Sequence, residues 1–427
     1  MSLNASKSRE QIAAELSELR NEYDSLKQAG LKLDLSRGKP CTEQLDLANE
    51  MFSNLDDYDF RDSGGFDTRN YGELSGIPDM KKLYAEILGV KPENVIIGGN
   101  SSLNLMFDTF VRAFMQGMVH SEKPWSQCGK VKFIAPVPGY DRHFAVAEHF
   151  GIELIPVPLT DDGPDMDLVE SLVAEDASVK GMLCIPVYSN PEGVVFSAET
   201  VRRLASMKCA APDFTIIWDN AYGVHHLYED YRPDLPNILE ECVKYGNDSR
   251  VLMFASTSKI TIAGGGVSCI AANTENINEI LHTLSVATIS YDKVNQLRHA
   301  RYLKSAENVD KIMMRHAAII RPKFEATLDA FRNNLSDIEG VHWTNPKGGY
   351  FISLYVVPGT AKRVHELCKN AGVTLTPAGA PFPKGYDPQD SNLRIAPTYA
   401  EMDELHLACR LLCLCIRIAA YEKILAK

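Results

Sequence analysis

The sequence predicts an α/β protein in which a mainly parallel, doubly wound sheet with helices on both faces is joined to a smaller α+β domain. The first observation is that apolar runs alternate with helical stretches over residues 95–254, which is typical of strand–helix–strand units. The second is the length of 427 residues, which favours two domains over one core. The third is that apolar runs become sparse after a long helical pattern at 307–331. The predicted strands of the sheet are Val95–Ile97, Val131–Ile134, Ile152–Val157, Gly181–Val187, Phe214–Trp218 and Val251–Phe254.

The N-terminal segment is predicted to be an amphipathic helix that packs on the body of the protein. Ser8 and Gln11 have the spacing of a capping box, and apolar residues recur behind them at helical spacing from Ile12 to Leu26. An extended piece, Leu33–Pro40, follows and ends in a Gly/Pro turn. Its Arg37-Gly-Lys triplet is compatible with either a binding site or a turn cap.

The C-terminal part carries the remaining predicted elements. Three short runs read as strands, at Gly349–Tyr355, Val373–Leu375 and Leu393–Ile395, and a Pro/Gly-rich loop separates the last two. The chain then ends in a long amphipathic helix over Glu401–Ile424. Together with the N-terminal residues, these elements are predicted to form the smaller domain.

Composition and charge narrow the classes of partner. The net charge of −12 argues against nucleic acid and acidic membrane surfaces. The N-terminus has no apolar signal region, and no segment is long and apolar enough to span a bilayer. Ten scattered cysteines without a C-x-x-C pair favour buried thiols in a cytoplasmic protein over a disulfide framework or a metal site.

A lysine directly after a predicted buried strand is the strongest chemical signal in the chain. The run Val251–Phe254 is followed by Ser256, Ser258 and Lys259, and then by three glycines. Loss of solvation there would lower the lysine pKa and free the amine to form a Schiff base with a carbonyl compound. In isolation, an S-x-S-K sequence is more often a polar surface turn, so the other strand ends decide the interpretation.

Five of the apolar runs end in polar residues, and in an open parallel sheet the strand ends meet at one edge, where ligands bind. Asn100, Ser101 and Ser102 open a helix after one run, which suits a phosphate group, although a serine N-cap is the common alternative. Tyr140 follows another run and offers a flat face for an aromatic ring, unless it is a core tyrosine.

The ends of two further runs suit the polar atoms of a pyridine ring. Asp219 ends a buried strand, where a carboxylate is costly unless it is paired, and a protonated pyridine nitrogen would pair with it. Asn190 and Tyr222 would donate hydrogen bonds to a phenolate oxygen. A phosphate, a pyridine nitrogen, a phenolate oxygen and an aldehyde for Lys259 are together the functional groups of pyridoxal 5′-phosphate.

The order of these motifs along the chain resembles the fold-type-I pyridoxal-phosphate aminotransferases. The motifs are Asn-Pro-x-Gly, Asp-x-Ala-Tyr, Ser-x-Ser-Lys, Pro-x-Gly-Gly-x-Phe and a late arginine, and they extend from Arg37 to Arg394. The segments LSRGKP, GGNSSLN, TSKITIAGGG and NLRIAPT are most similar to the type Ic aspartate aminotransferases. The resemblance implies the PLP-transferase fold type I, with a large cofactor-binding domain at 59–324 and a small domain formed by 1–58 and 325–427.

The resemblance also implies a role for each candidate residue. Lys259 would be the Schiff-base lysine and proton shuttle, Asp219 would bind the pyridine nitrogen with His143 behind it, and Tyr140 would stack on the ring. The remaining cofactor contacts would be Asn100, Ser101, Ser102, Asn190, Tyr222, Ser256 and Ser258, with Tyr71 reaching across from the partner subunit of a homodimer. The substrate would be bound by Arg394 at its α-carboxylate, and by Asn190, Gly38 and Arg37. Many relatives carry an arginine eight residues after the lysine, whereas this chain has Val267.

The function that the resemblance implies is transamination of an amino acid with a 2-oxo acid, with L-aspartate and 2-oxoglutarate giving oxaloacetate and L-glutamate as the expected pair. A second carboxylate needs a second cation, for which the candidates are Arg37, ranked first, and Arg298 and Arg301. The alternatives are an aminotransferase of other specificity, a C–S β-lyase, or a non-catalytic sensor with an aminotransferase-like fold. No metal is expected.

Overall fold

The computed structural model describes residues 8–426. Residues 1–7, which begin the N-terminal segment discussed above for a signal region, lie outside the described part. The strands are β1 (Leu33–Asp34), β2 (Val95–Ile97), β3 (Lys132–Val137), β4 (Glu153–Thr160), β5 (Gly163–Pro164), β6 (Val179–Cys184), β7 (Thr215–Asp219), β8 (Val251–Ser256), β9 (Ser268–Ala271), β10 (His342–Trp343), β11 (Ile352–Tyr355), β12 (Val373–Thr374) and β13 (Asn392–Ile395). The helices are α1 (Arg9–Gln28), α2 (Thr42–Asp46), α3 (Pro78–Leu88), α4 (Ser102–Met115), α5 (Asp141–His149), α6 (Met166–Glu175), α7 (Ala198–Ser206), α8 (Ile238–Lys244), α9 (Thr274–Ala287), α10 (Lys293–Leu303), α11 (Ala306–Leu335), α12 (Ala361–Asn370) and α13 (Met402–Ala426).

The largest sheet has the strand order β2-β9-β8-β7-β6-β3-β4-β5. Its centre is parallel, because β8, β7, β6, β3 and β4 pair with one another in the same direction. Alternate residues of the central strands pack on opposite faces: Ile216 and Trp218 of β7 belong to one apolar cluster, and Ile217 belongs to another. Burial on both faces explains the continuous apolar runs in the sequence. The predicted α/β fold with a mainly parallel sheet is therefore confirmed.

Two strands of this sheet, β5 and β9, are absent from the sequence prediction. The strand β9 lies between β2 and β8 and is antiparallel to both. It is only four residues long, contains the small polar residues Ser268 and Cys269, and is separated from the glycine-rich loop by Val267 alone. A run this short without strand-forming branched residues at its start gives little periodic signal.

The N-terminal helix forms as predicted, and it packs against the C-terminal helix. Ser8 and Gln11 form both bonds of the capping box, at 3.3 and 2.8 Å. Ile12, Leu16 and Tyr23 are buried in one apolar cluster together with residues of α13. Beyond this helix, β1 pairs in parallel with β12, so the extended piece before Arg37 is tied to the C-terminal part.

The long helix α11 connects two of the apolar clusters. Its first half contributes Val309 and Met313 to a cluster on the large sheet. Its second half contributes Phe324 and Phe331 to the cluster formed by α1, α12, α13 and the three-stranded antiparallel sheet β10-β11-β13. The domain boundaries at residues 58 and 324 stay a prediction. Over residues 8–426, no helix is both long enough and apolar enough to cross a membrane.

Candidate active site

Lys259 lies just beyond the end of β8, in the loop that the three glycines complete. Its Nζ atom is 4.9 Å from the ring centroid of Tyr222 and 5.9 Å from that of Tyr350. These distances allow the ring faces to attract the cationic form of the amine. The strand end and the two aromatic rings therefore hold the amine at a defined place.

Asp219 is the last residue of β7, next to the lysine strand, and it is buried. Its Oδ2 atom accepts a hydrogen bond from Nε2 of His143 at 2.9 Å, and His143 is buried as well. Its Oδ1 atom is also buried and has no hydrogen-bond partner among the described residues. A buried carboxylate oxygen without a donor is costly, so this atom suits a ligand that brings a donor.

Asn190 and Tyr222 lie beside the aspartate and present polar atoms at the same edge of the sheet. Both are buried, and both line the same cavity. Burial raises the pKa of Tyr222, and the nearby charge of Asp219 adds to the increase, while Arg394 opposes it. Tyr222 therefore remains a protonated phenol that can donate a hydrogen bond.

Arg394 in β13 is buried, and its guanidinium lies 5.0 Å from the ring centroid of Phe351. Its Nη1 atom donates to Oδ1 of Asp141 at 2.7 Å, and its Nη2 atom donates to Oγ1 of Thr376 at 3.4 Å. Gly38 packs against the same ring, since a Cβ at that position would be 2.5 Å from Phe351. The predicted substrate residues Gly38 and Arg394 therefore both pack against the ring of Phe351.

The hydroxyl groups predicted to bind a phosphate group form a connected cluster. The Oγ atoms of Ser256 and Ser258 are 2.5 Å apart, and Oγ of Ser258 donates to the backbone oxygen of Asn100 at 3.0 Å. Ser101 and Ser102 stand at the N-terminus of α4, where unpaired backbone N–H groups favour an anion. The arrangement fits a phosphate group.

Most of these groups line one cavity of about 150 Å³, whereas Arg394 and Gly38 are not among its lining residues. Ten of the lining residues were predicted from the sequence, namely Ser101, Ser102, Tyr140, His143, Asn190, Asp219, Tyr222, Ser256, Ser258 and Lys259. Four apolar residues complete the lining, namely Leu103, Met106, Ile185 and Ala221. Burial raises the pKa of Tyr140 to about 12, against the opposing charge of Lys259, so this ring is a neutral phenol.

Several predicted residues lie outside this cavity. Asn100 contributes its backbone oxygen to the cluster while its side chain is exposed, and Arg37 is exposed beside Gly38. Tyr71 is 76% exposed. Of the other candidate cations, Arg301 is paired with Asp57 at 3.1 Å, and Arg298 donates to Asn295 at 2.9 Å. The Arg301 side chain is therefore already occupied by an acidic partner.

Val267 does not take over the role of the arginine found at this position in many relatives. Its side chain is buried in an apolar cluster, and its backbone N–H donates to Oγ1 of Thr257 at 2.9 Å. Its carbonyl oxygen accepts from the phenol of Tyr84 at 2.5 Å. The neighbouring Gly266 approaches the serine loop closely, because a Cβ there would lie 3.1 Å from the backbone nitrogen of Ser258.

Two residues at the site were not singled out from the sequence. Asp141 binds Arg394, and its sequence signal was its place between Tyr140 and His143. Tyr350 faces the lysine, and it stands inside the Pro-x-Gly-Gly-x-Phe motif. In both cases the sequence motif contains the residue, but only the fold shows that Asp141 contacts Arg394 and that Tyr350 faces Lys259.

Comparisons with known proteins agree with this geometry. A family model described as aspartate amino-transferase matches residues 7–427. An aspartate aminotransferase of Corynebacterium glutamicum is 46% identical over 405 residues, covering 95% of this chain and 93% of that protein. The crystal structure of an aspartate transaminase from the same organism superimposes with a TM-score of 0.94 at 46% identity, covering 97% of each chain.

A more distant structure shows the same fold. The α-aminoadipate aminotransferase LysN of Thermus thermophilus, solved in complex with N-(5′-phosphopyridoxyl)-L-leucine, superimposes with a TM-score of 0.71. It is 21% identical, and the alignment covers 92% of this chain and 93% of that one. At this identity the likeness concerns the fold alone.

Proposed function

Because the chain belongs to the aspartate aminotransferase family, we propose that it binds pyridoxal 5′-phosphate and transfers the amino group of L-aspartate to 2-oxoglutarate, giving oxaloacetate and L-glutamate. Membership of this family makes the protein an aminotransferase. The proposal concerns the cofactor, the substrate pair and the role of each residue at the site.

The observation that carries the proposal is the unpaired Oδ1 atom of Asp219, buried at a cavity that Lys259 also lines. A protonated ring nitrogen is a donor that satisfies this oxygen, and the carboxylate keeps that nitrogen protonated. When bound, pyridoxal phosphate supplies an aldehyde that condenses with amines and a ring that accepts electrons. The residues present fit this group, from the serine cluster at one side to the aspartate at the other.

Each residue then has a defined task in the reaction. Lys259 would hold the cofactor in the resting enzyme. Once a substrate amine has displaced it, its Nζ atom would remove the substrate Cα proton and deliver that proton to the carbon that carried the aldehyde. Asn190 and Tyr222 donate hydrogen bonds that fix the orientation of the ring. His143 holds Asp219 in place from behind. Arg394 binds the α-carboxylate of the substrate.

The substrate's second carboxylate requires a second cation, and Arg37 remains the first candidate. It is exposed and adjacent to Gly38, which shares the Phe351 ring with Arg394. Tyr71 is equally exposed and available to a second copy of the chain. A homodimer with shared active sites is part of the proposal.

Spectroscopy of the cofactor-loaded protein tests the proposed function. L-aspartate should convert the absorbance of the aldehyde form to that of the amine form, and 2-oxoglutarate should reverse the change, because each half-reaction moves the amino group once. L-alanine, which lacks the second carboxylate, serves as the matched comparison and should react far more slowly. Equal rates for aspartate and alanine would contradict the dicarboxylate assignment, and turnover without any 2-oxo acid would favour the lyase.

Replacing Arg37 with alanine should lower kcat/KM for aspartate selectively. We expect a loss of about 2 kcal/mol, the lower end for removing one partner of a buried charge pair, because Arg37 is exposed before substrate binds. The rate with alanine should change much less. The measurement is steady-state kinetics with both amino acids.

Lys39→Ala is the matched control for Arg37→Ala. Lys39 is a cation of the same segment, but its Nζ atom already lies 3.7 Å from the ring centroid of Tyr399 and 3.9 Å from Asp34. This variant should retain the preference for aspartate. A selective loss in Arg298→Ala, with none in Arg37→Ala, would show that the distal cation has been assigned wrongly.

A further inference from the structure

Asp141 forms an ion pair with Arg394, the arginine that we propose binds the α-carboxylate of the substrate. It is the first residue of α5, and its Oδ1 atom lies 2.7 Å from Nη1 of Arg394. The N-terminal end of a helix is a favourable place for an acidic side chain. The neighbouring Tyr140 and His143 fix this turn, because Tyr140 lines the cavity and His143 binds Asp219.

The guanidinium of Arg394 is therefore partly engaged before any substrate binds. Its Nη1 atom is shared between Asp141 and the side-chain oxygen of Asn190, which lies at 3.3 Å. Its Nη2 atom donates to Oγ1 of Thr376 at 3.4 Å and to no other side chain among residues 8–426. A substrate carboxylate that binds this guanidinium must approach the carboxylate of Asp141, and two carboxylates at one guanidinium repel each other.

We propose that Asp141 is an affinity-setting residue: it remains on Arg394 and weakens the attraction of this arginine for the carboxylate of substrates and products. The inference rests on the proposed function, since it takes Arg394 as the group that binds the α-carboxylate. Its consequence is weaker ground-state binding of every carboxylate ligand, so the KM lies higher than the arginine alone would set it. Binding energy that is withheld from the ground state does not slow the chemical step.

The charge of Asp141 can be removed while its hydrogen bond is kept. In Asp141→Asn the amide oxygen still accepts from Nη1, but the negative charge is lost. We expect the Kd of succinate, an unreactive dicarboxylate, to fall about tenfold in the cofactor-loaded protein, as measured by isothermal titration calorimetry. Asp141→Ser, which also offers an uncharged acceptor, should tighten binding in the same direction.

The matched control is Asp165→Asn. Asp165 also stands at a helix N-terminus, where it caps α6 by accepting from the backbone of Leu168. That variant loses one negative charge away from the arginine and should leave the Kd of succinate unchanged. Tightening of similar size in the control would mean that the effect comes from net charge, which would overturn the proposal.

The outcomes separate this inference from the proposed function. An unchanged or higher Kd in both folded Asp141 variants, with normal transamination by the unmodified protein, overturns the affinity-setting role alone. Succinate binding that is absent from the unmodified protein, or that is insensitive to Arg394→Ala, overturns the role of Arg394 and the inference together. Tighter succinate binding in both Asp141 variants supports the affinity-setting role if this gain disappears when Arg394→Ala is added.

Discussion

Lys259→Ala is expected to lower the rate of transamination by about 10⁴-fold, the upper end of what a positioned proton-transfer group contributes. Within the described part of the chain, Lys259 is the one lysine that lines the 150 Å³ cavity. The loss should be seen directly in the exchange of the aspartate Cα proton with solvent, followed by NMR. That exchange reports the proton removal that we assign to Nζ.

A buried lysine outside the cavity provides the control for Lys259→Ala. Lys323 is buried, and its Nζ atom donates to the backbone oxygen of Thr398 at 3.3 Å. Lys323→Ala should lower the free energy of unfolding, because that carbonyl loses its donor, while the exchange rate per folded molecule stays near normal. Rapid Cα exchange in a folded Lys259→Ala protein would mean that another group moves the proton.

Asp219→Asn is expected to retain the cofactor and to lose about 10²–10³-fold in kcat, corresponding to about 2.7–4 kcal/mol. A neutral amide accepts the hydrogen bond from His143 but does not hold a proton on the pyridine nitrogen, so less negative charge is stabilised in the transition state. The measurements are kcat for aspartate and the cofactor content of the purified variant. A near-normal kcat with full cofactor content would exclude this electrostatic role.

Asp213→Asn is the matched control, near the N-terminal end of the strand that Asp219 ends. Asp213 stands two residues before β7 and is buried. It is paired with Lys180 at 2.7 Å and with the indole of Trp125 at 2.8 Å. These donors hold the pKa of its carboxyl below the usual range even though burial opposes the shift. Its replacement should lower the free energy of unfolding and leave kcat of the folded fraction unchanged, which separates the loss of a buried charge from the loss of catalysis.

The central strands could be predicted from the sequence because both of their faces are buried. Phe214–Trp218 and Val251–Phe254 are continuous apolar runs, and each stands in the sheet as β7 and β8. The strand β9 could not be found in this way, since its four residues follow a glycine loop and pair antiparallel between β2 and β8. Its position is determined by its pairing with these two strands, which the sequence pattern of β9 itself does not reveal.

The residues of the candidate site could be predicted where a reactive side chain stands at the end of a predicted strand. Asp219 is the last residue of one buried strand and Lys259 follows another, and those strands are neighbours in the sheet, so their side chains line the same cavity. The contact between Asp141 and Arg394 was not predictable, because it joins residues 253 positions apart through the direction of one side chain. For Arg37 the sequence gives the position beside Gly38, but the orientation of an exposed side chain is decided only when a ligand binds.

Reduction of the cofactor-loaded protein with borohydride, followed by peptide mass mapping, tests the central claim most directly. Borohydride converts a Schiff base into a stable secondary amine, so the lysine that binds the cofactor carries a pyridoxyl group through digestion. Our account predicts the label on Lys259, in the peptide that follows β8. A label on any other lysine, or no covalent label on a protein that binds the cofactor, would contradict it.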